Sequence, residues 1–164
     1  MKINTDDYKV YHNSMIESVK KLVLEGTVPV TTILYYYALG CKYEIKEDWH
    51  SYSNAIRDIK KVKEKFKTND LKAITIIYGN TVQRGIINTD ISIEADNIDK
   101  LFKHIESINT EDVRILHILT YVNSKEYYIK SFEIIYINDK MIDMVEMEDN
   151  VCKILTTNIM QHLL

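Results

Sequence analysis

The hydrophobic period of the chain changes near residue 69, and that change limits the available folds more than any other feature. Upstream, apolar residues recur every three or four positions, the spacing of helices packed by one face. Downstream, β-branched residues crowd in, and Ile87, Thr89, Ile91, Ile93 and Ala95 alternate with Asn88, Asp90, Ser92 and Glu94. A period of two describes a strand with one wet face, and strands joined by tight turns pair antiparallel. The expected fold class is therefore α+β. An N-terminal three-helix region (1–68) precedes an antiparallel sheet of about five strands (69–164), with one inserted helix and a C-terminal helix, in one compact domain.

Within that frame a first helix covers 6–24. Tyr8, Tyr11, Met15, Val19, Leu22 and Val23 form its stripe, Thr5 is its cap and Gly26 its stop. A second helix covers 27–40, with Thr27 as cap, Pro29 in the first turn and Gly40 at the end. It is apolar nearly all round and so is expected to be buried. A third runs over 48–67, capped by Asp48, with Tyr52, Ala55, Ile56, Ile59 and Phe66 inward. "LKAITIIYGN" then reads as a strand, "TVQRG" as a turn and 87–95 as its return strand, followed by a helix over 96–109. "EDVRILHILTYVN" satisfies both periods, and its Val, Ile and Thr content favours strand. "YYIKSFEIIYINDKMIDMVEMED" is a hairpin turning at "NDK", and 151–164 a closing helix.

Bulk chemistry narrows the class of protein. With 46% apolar residues, 27% charged and five Pro plus Gly in 164, intrinsic disorder is excluded. Cys41 and Cys152 have no metal-like spacing and read as reduced thiols in a cytoplasmic protein. The first residues lack the apolar core of an export signal, and no stretch approaches the ~20 apolar residues of a membrane span. Lysine outnumbers arginine 18 to 3 and Ile, Asn and Tyr are abundant, a bias that AT-rich codons supply in a bacterial, phage or viral genome.

The segment "TTILYYYALGC" poses the sharpest local question. On a helix Tyr35, Tyr36 and Tyr37 fan across about 200° and cannot form one stacking platform. Tyr37 then points to the core, and Tyr35 or Tyr36 sits at a boundary that suits an apolar ring with a polar hydroxyl. The segment resembles part of the recognition region of MerR-family regulators at Thr32, Ile33, Tyr35, Tyr36, Leu39 and Gly40. That resemblance covers nine residues. Leu34 stands where the family carries an arginine, and no basic wing follows, so the phosphate contacts are missing and membership is not implied.

No catalytic signature emerges. The five histidines lie on different elements without zinc spacing, the four glycines form no phosphate loop, and neither cysteine has a histidine neighbour. "EDWH" at 47–50 has acid-base material but reads as a helix start, and His117 lies in an apolar run as a buried neutral imidazole. No cofactor and no metal are expected. Charge is uneven: residues 1–82 carry net +3 and residues 83–164 net −6. In the second half, from Glu133 to Asp149, the carboxylates Glu133, Asp139, Asp143, Glu146, Glu148 and Asp149 face only Lys140.

The expectation is a non-catalytic binding protein that occupies a macromolecular partner, such as a phage or viral host-takeover factor, an immunity protein or a small regulator. A protein partner is favoured, with the chain as monomer or homodimer. Tyr127, Tyr128 and Tyr136 would supply the desolvated contacts, and Glu146, Glu148 and Asp149 the steering charge. The alternative is a nucleic-acid-binding transcriptional or replication regulator. It would place Lys60, Lys61, Lys63 and Lys67 on phosphates and Tyr35 or Tyr36 near the bases.

Overall fold

The computed structural model describes residues 7–27, 29–68, 70–86 and 109–164. Its elements are α1 (Tyr8–Leu24), β1 (Thr32–Tyr37), β2 (Gly40–Ile45), α2 (Tyr52–Thr68), β3 (Leu71–Ile86), β4 (Asn109–Asn123), β5 (Glu126–Ile137), β6 (Lys140–Glu146) and α3 (Asp149–Leu163). The strands form one sheet in the order β2-β1-β3-β4-β5-β6, every neighbouring pair antiparallel. The α+β class holds, but the described residues contain six strands rather than about five and one helix rather than three before the sheet begins.

The difference lies in the tyrosine segment. Thr32–Tyr37 is a strand that turns at Ala38 and Leu39 into β2, pairing Tyr37 with Gly40 and Leu34 with Tyr43. A short apolar run buried on both faces shows no period, so periodicity alone cannot separate it from a buried helix. Three tyrosines beside Thr31, Thr32 and Ile33 favour the pleated state. A strand also sends Tyr35 and Tyr37 to one face and Tyr36 to the other, which replaces the helical fan.

Elsewhere local chemistry decides more. Asp7 caps α1 by accepting from the Val10 N–H at 3.3 Å. Gly26 ends it at φ +85, with the Gly26 N–H donating to Val23 O and the Thr27 N–H to Leu22 O. The expected cap Thr5 lies outside the described residues. Asn138 and Asp139 both adopt positive φ in the β5–β6 turn, the conformation a two-residue hairpin of this hand requires. β4 is a strand, as its β-branched content favours. β3 continues through "TVQRG" without turning, because its partner is β4 over its whole second half. The strand expected at 87–95 and most of the helix at 96–109 lie outside the described residues.

α2 begins at Tyr52, not Asp48. The Asp48 carboxylate accepts from Arg57 at 2.9 Å instead of capping, and the Trp49 indole N–H donates to Asp58 at 2.8 Å. These bonds tie the segment before α2 to the helix itself.

The sheet is covered on both faces. On one, α2 and α3 bury Ile33, Tyr35, Ile74, Ile76, Leu119 and Tyr121 against Ile59, Val62, Ile159 and Leu163. On the other, α1 is the one helix among the described residues that lies on the sheet. Val19 and Val23 cover Ile77, Leu116, Ile118, Phe132, Ile134 and Met144, while Tyr8 packs with Tyr36 and Ala73.

Candidate functional site

The α1 face carries a buried polar chain. The Tyr36 hydroxyl donates to Thr75 Oγ1 at 3.0 Å, the Thr75 and Thr120 hydroxyls are 2.8 Å apart, and Thr120 Oγ1 lies 2.9 Å from His12 Nδ1. Tyr36 is the donor to Thr75, while either hydroxyl can donate in the Thr75–Thr120 bond and His12 Nδ1 donates or accepts according to its tautomer. Burial, with a smaller contribution from the Lys130 ammonium, lowers the His12 pKa from 6.5 to about 4, so the neutral ring is the stable form. Among the described residues Nε2 has no hydrogen-bond partner.

His12 lines two hollows beside α1. A hollow bounded by Lys9, His12, Asn13, Tyr127, Tyr128, Ile129, Asp149 and Lys153 shares His12 and Asn13 with a second hollow bounded by Ile16, Glu17, Lys20, Lys130, Phe132 and Glu146. Together they make a groove between α1 and the corner where β5, β6 and the start of α3 meet. Lys130 binds both Glu146 and Asp149, the latter at 3.1 Å, and these carboxylates raise its pKa, Glu146 foremost.

The residues expected to bind a partner distribute unevenly around this groove. Tyr127, Tyr128, Asp149 and Glu146 line it. Glu148 is next to it, exposed at the N-cap of α3 without a side-chain capping bond. Tyr136 lies toward the far end of β5, 40% exposed, and is not part of the groove. His12, Asn13 and Lys130 are groove residues that sequence reading passed over. His12 continues the stripe of Tyr8, Met15 and Val19, so its helical register carried the signal.

The residues of the nucleic-acid alternative do not come together. Tyr35 and Tyr36 are 3% and 9% exposed, one hydroxyl donating to Glu44 at 2.6 Å and the other to Thr75. A base contact would require both rings to leave the core. Tyr35 and Lys46 together hold the Glu44 carboxyl down at about 2. On α2, Lys60 and Lys61 are exposed, Lys63 donates to the Leu164 carbonyl at 3.0 Å, and Lys67 pairs with Glu64.

A second polar cluster lies under the α2 and α3 layer. His117 Nε2 is 2.8 Å from Asn80 Oδ1 and its Nδ1 is 2.7 Å from Ser131 Oγ. The Asn80 oxygen only accepts, so Nε2 carries the proton and Ser131 donates to Nδ1. Hydroxyl, imidazole and amide stand in the order that activates a nucleophile. Ser131 and His117 are both 0% exposed, however, so a substrate atom has no approach to the hydroxyl. Burial lowers the His117 pKa to about 4, and the trio satisfies polar groups inside the core.

Among the described residues no group of three His, Cys, Asp or Glu side chains is placed to hold a metal ion, and no helix is long and apolar enough to cross a membrane. Cys41 is exposed and Cys152 buried, both as free thiols. No protein-family model, curated protein or solved structure matches the chain.

Proposed function

We propose that the protein is a non-catalytic binding protein of the cytoplasm that acts by occupying a macromolecular partner, as a host-takeover factor, an immunity protein or a small regulator does. The observation that carries this reading is the His12 imidazole. The polar chain through Tyr36, Thr75 and Thr120 holds the ring by Nδ1 beside a groove lined by two tyrosines, three carboxylates (Glu17, Glu146, Asp149) and four lysines (Lys9, Lys20, Lys130, Lys153). Such a groove offers a partner an oriented imidazole, aromatic rings with few rotors, and charge of both signs.

The partner that fits is a protein segment whose basic side meets the acidic stretch from β5 to the start of α3. Between Glu126 and Asp149 seven carboxylates stand against Lys130 and Lys140 alone, and Lys130 is already held by Glu146 and Asp149. The excess acid speeds encounter, while Tyr127 and Tyr128 make the contacts that slow release.

The test is capture of lysate proteins on the immobilised chain, followed by surface plasmon resonance on each captured partner with wild type, the triple variant E146K/E148K/D149K, and Tyr127→Ala. The triple variant is expected to slow association by about tenfold at low salt, and Tyr127→Ala to accelerate dissociation. A partner bound equally by all three proteins would sink the reading. Salt-sensitive binding of labelled oligonucleotides, lost on neutralising Lys60 and Lys61, would move the function to α2.

A further inference from the structure

We infer that β2 is a dimerisation edge, on which a second copy of this chain adds its own β2 antiparallel, in the register that sets Tyr43 opposite Tyr43 across a two-fold axis. β2 is the last strand of the sheet, so one side of its backbone has no strand beside it among the described residues. The Lys46 N–H donates to Thr31 O at 2.8 Å, which marks Thr31 and Lys46 as a hydrogen-bonded pair. Counting by two along the register, Glu44, Lys42 and Gly40 also turn their backbone groups toward β1. Cys41, Tyr43 and Ile45 therefore direct their N–H and C=O groups to the open side.

The side chains of these three residues share the face on which α1 packs, because Tyr43 sits opposite Leu34. Tyr43 is 71% exposed, Ile45 52%, and Cys41 is exposed too, so the edge offers an apolar stripe together with unpaired backbone groups. Exposed edges of this kind invite pairing with another chain.

Charge selects the occupant and the register. In a two-fold antiparallel pair centred on Tyr43, Lys42 of each copy faces Glu44 of the other, and Cys41 faces Ile45. All three outward residues then meet as hydrogen-bonded pairs. A shift centred on Lys42 sets lysine against lysine, and one centred on Glu44 sets carboxylate against carboxylate, both repulsive across strands. A register centred on Ile45 also sets Glu44 opposite Lys46 but overlaps the two β2 strands at Ile45 alone, whereas the Tyr43-centred register pairs residues 41–45 throughout, complementary in charge, apolar surface and backbone bonding, and is self-complementary, as a two-fold interface must be. β2 and the β5–β6 side lie at opposite ends of the strand order, so the dimer is independent of the groove and of the function proposed for it.

Sedimentation equilibrium on the full chain tests this. Wild type is expected to dimerise. K42E and E44K each place like charges at both contacts and are expected to weaken dimerisation by about tenfold or more. An equimolar mixture of the two variants restores both Lys–Glu contacts and is expected to dimerise as wild type does. A monomeric wild type at every concentration, or a mixture no better than its components, would overturn the proposal. Glu44 also accepts from Tyr35 and Lys46, so E44K is checked for folding by circular dichroism. Should it not fold, Tyr43→Pro decides: it removes an outward N–H that β1 does not use, and a variant that still dimerised would refute the edge.

Discussion

The two faces of the sheet are built from the same strands but finished differently. Among the described residues two helices close one face, with a cluster of buried apolar residues running from Ile33 to Leu163. One described helix lies on the other, where the core divides into two smaller clusters, with the chain from Tyr36 to His12 buried on the same face. Each face buries a histidine. Among the described residues His117 uses both ring nitrogens inside the protein, whereas His12 uses one. The candidate groove runs beside α1, with the His12 imidazole in its wall.

The comparison can be broken most directly at two adjacent residues of β4. Ile118 and Leu119 are both fully buried but face opposite layers. Leu119→Ala, in the doubly covered layer, is expected to cost about 4 kcal/mol, and Ile118→Ala about 3, since the singly covered side can relax into the cavity. Urea unfolding of both variants measures the gap. A larger loss for Ile118→Ala would mean that α1 packs as tightly as the opposite pair.

Acid sharpens the comparison of the histidines. Both folded-state pKa values lie near 4, below the 6.5 of the free ring, so the unfolded chain binds more protons between these limits. Stability from each neutral imidazole is complete above about pH 6.5 and is lost as pH falls toward 4, by about 3 kcal/mol per histidine. NMR titration of the two imidazoles in the folded protein reads this directly. Titration of His12 near its ordinary value would show that its nitrogen faces water rather than the core.

Smaller effects separate a satisfied network from an unsatisfied group. Thr120→Val removes the hydroxyl that pairs with both Thr75 and His12 Nδ1, and is expected to cost about 2 kcal/mol in thermal unfolding. Tyr78 packs on His117 with ring centroids 4.7 Å apart, but its buried hydroxyl has no partner among the described residues. Tyr78→Phe is therefore expected to stabilise by about 1 kcal/mol, and a measured loss would reveal a bond to that hydroxyl.

Much of this arrangement was legible beforehand where one local signal is enough. The stripe of α1 with Gly26 behind it, the inward face of α2, the turn at Asn138 and Asp139 and the closing helix each follow from period or from backbone freedom at particular residues. Tyr127, Tyr128, Glu146 and Asp149, expected from chemistry alone as candidate contacts because aromatic rings and carboxylates close together are conspicuous, line the groove.

What remained hidden needed a neighbour to define it. The run from Thr32 to Tyr37 is apolar on every side, and only its pairing with β2 and β3 makes it a strand, with Tyr36 turned under α1. Sequence shows Glu146 and Asp149 as negative charge; the fold brings Lys130 between them and partly neutralises it. A hydrophobic period records whether a face is buried, not what buries it. The amino-acid sequence by itself therefore determined the class of fold and the turns at Gly26 and at Asn138 and Asp139, while the tertiary structure decided the other turns and which layer each strand residue enters, because these depend on pairing between segments distant in the chain.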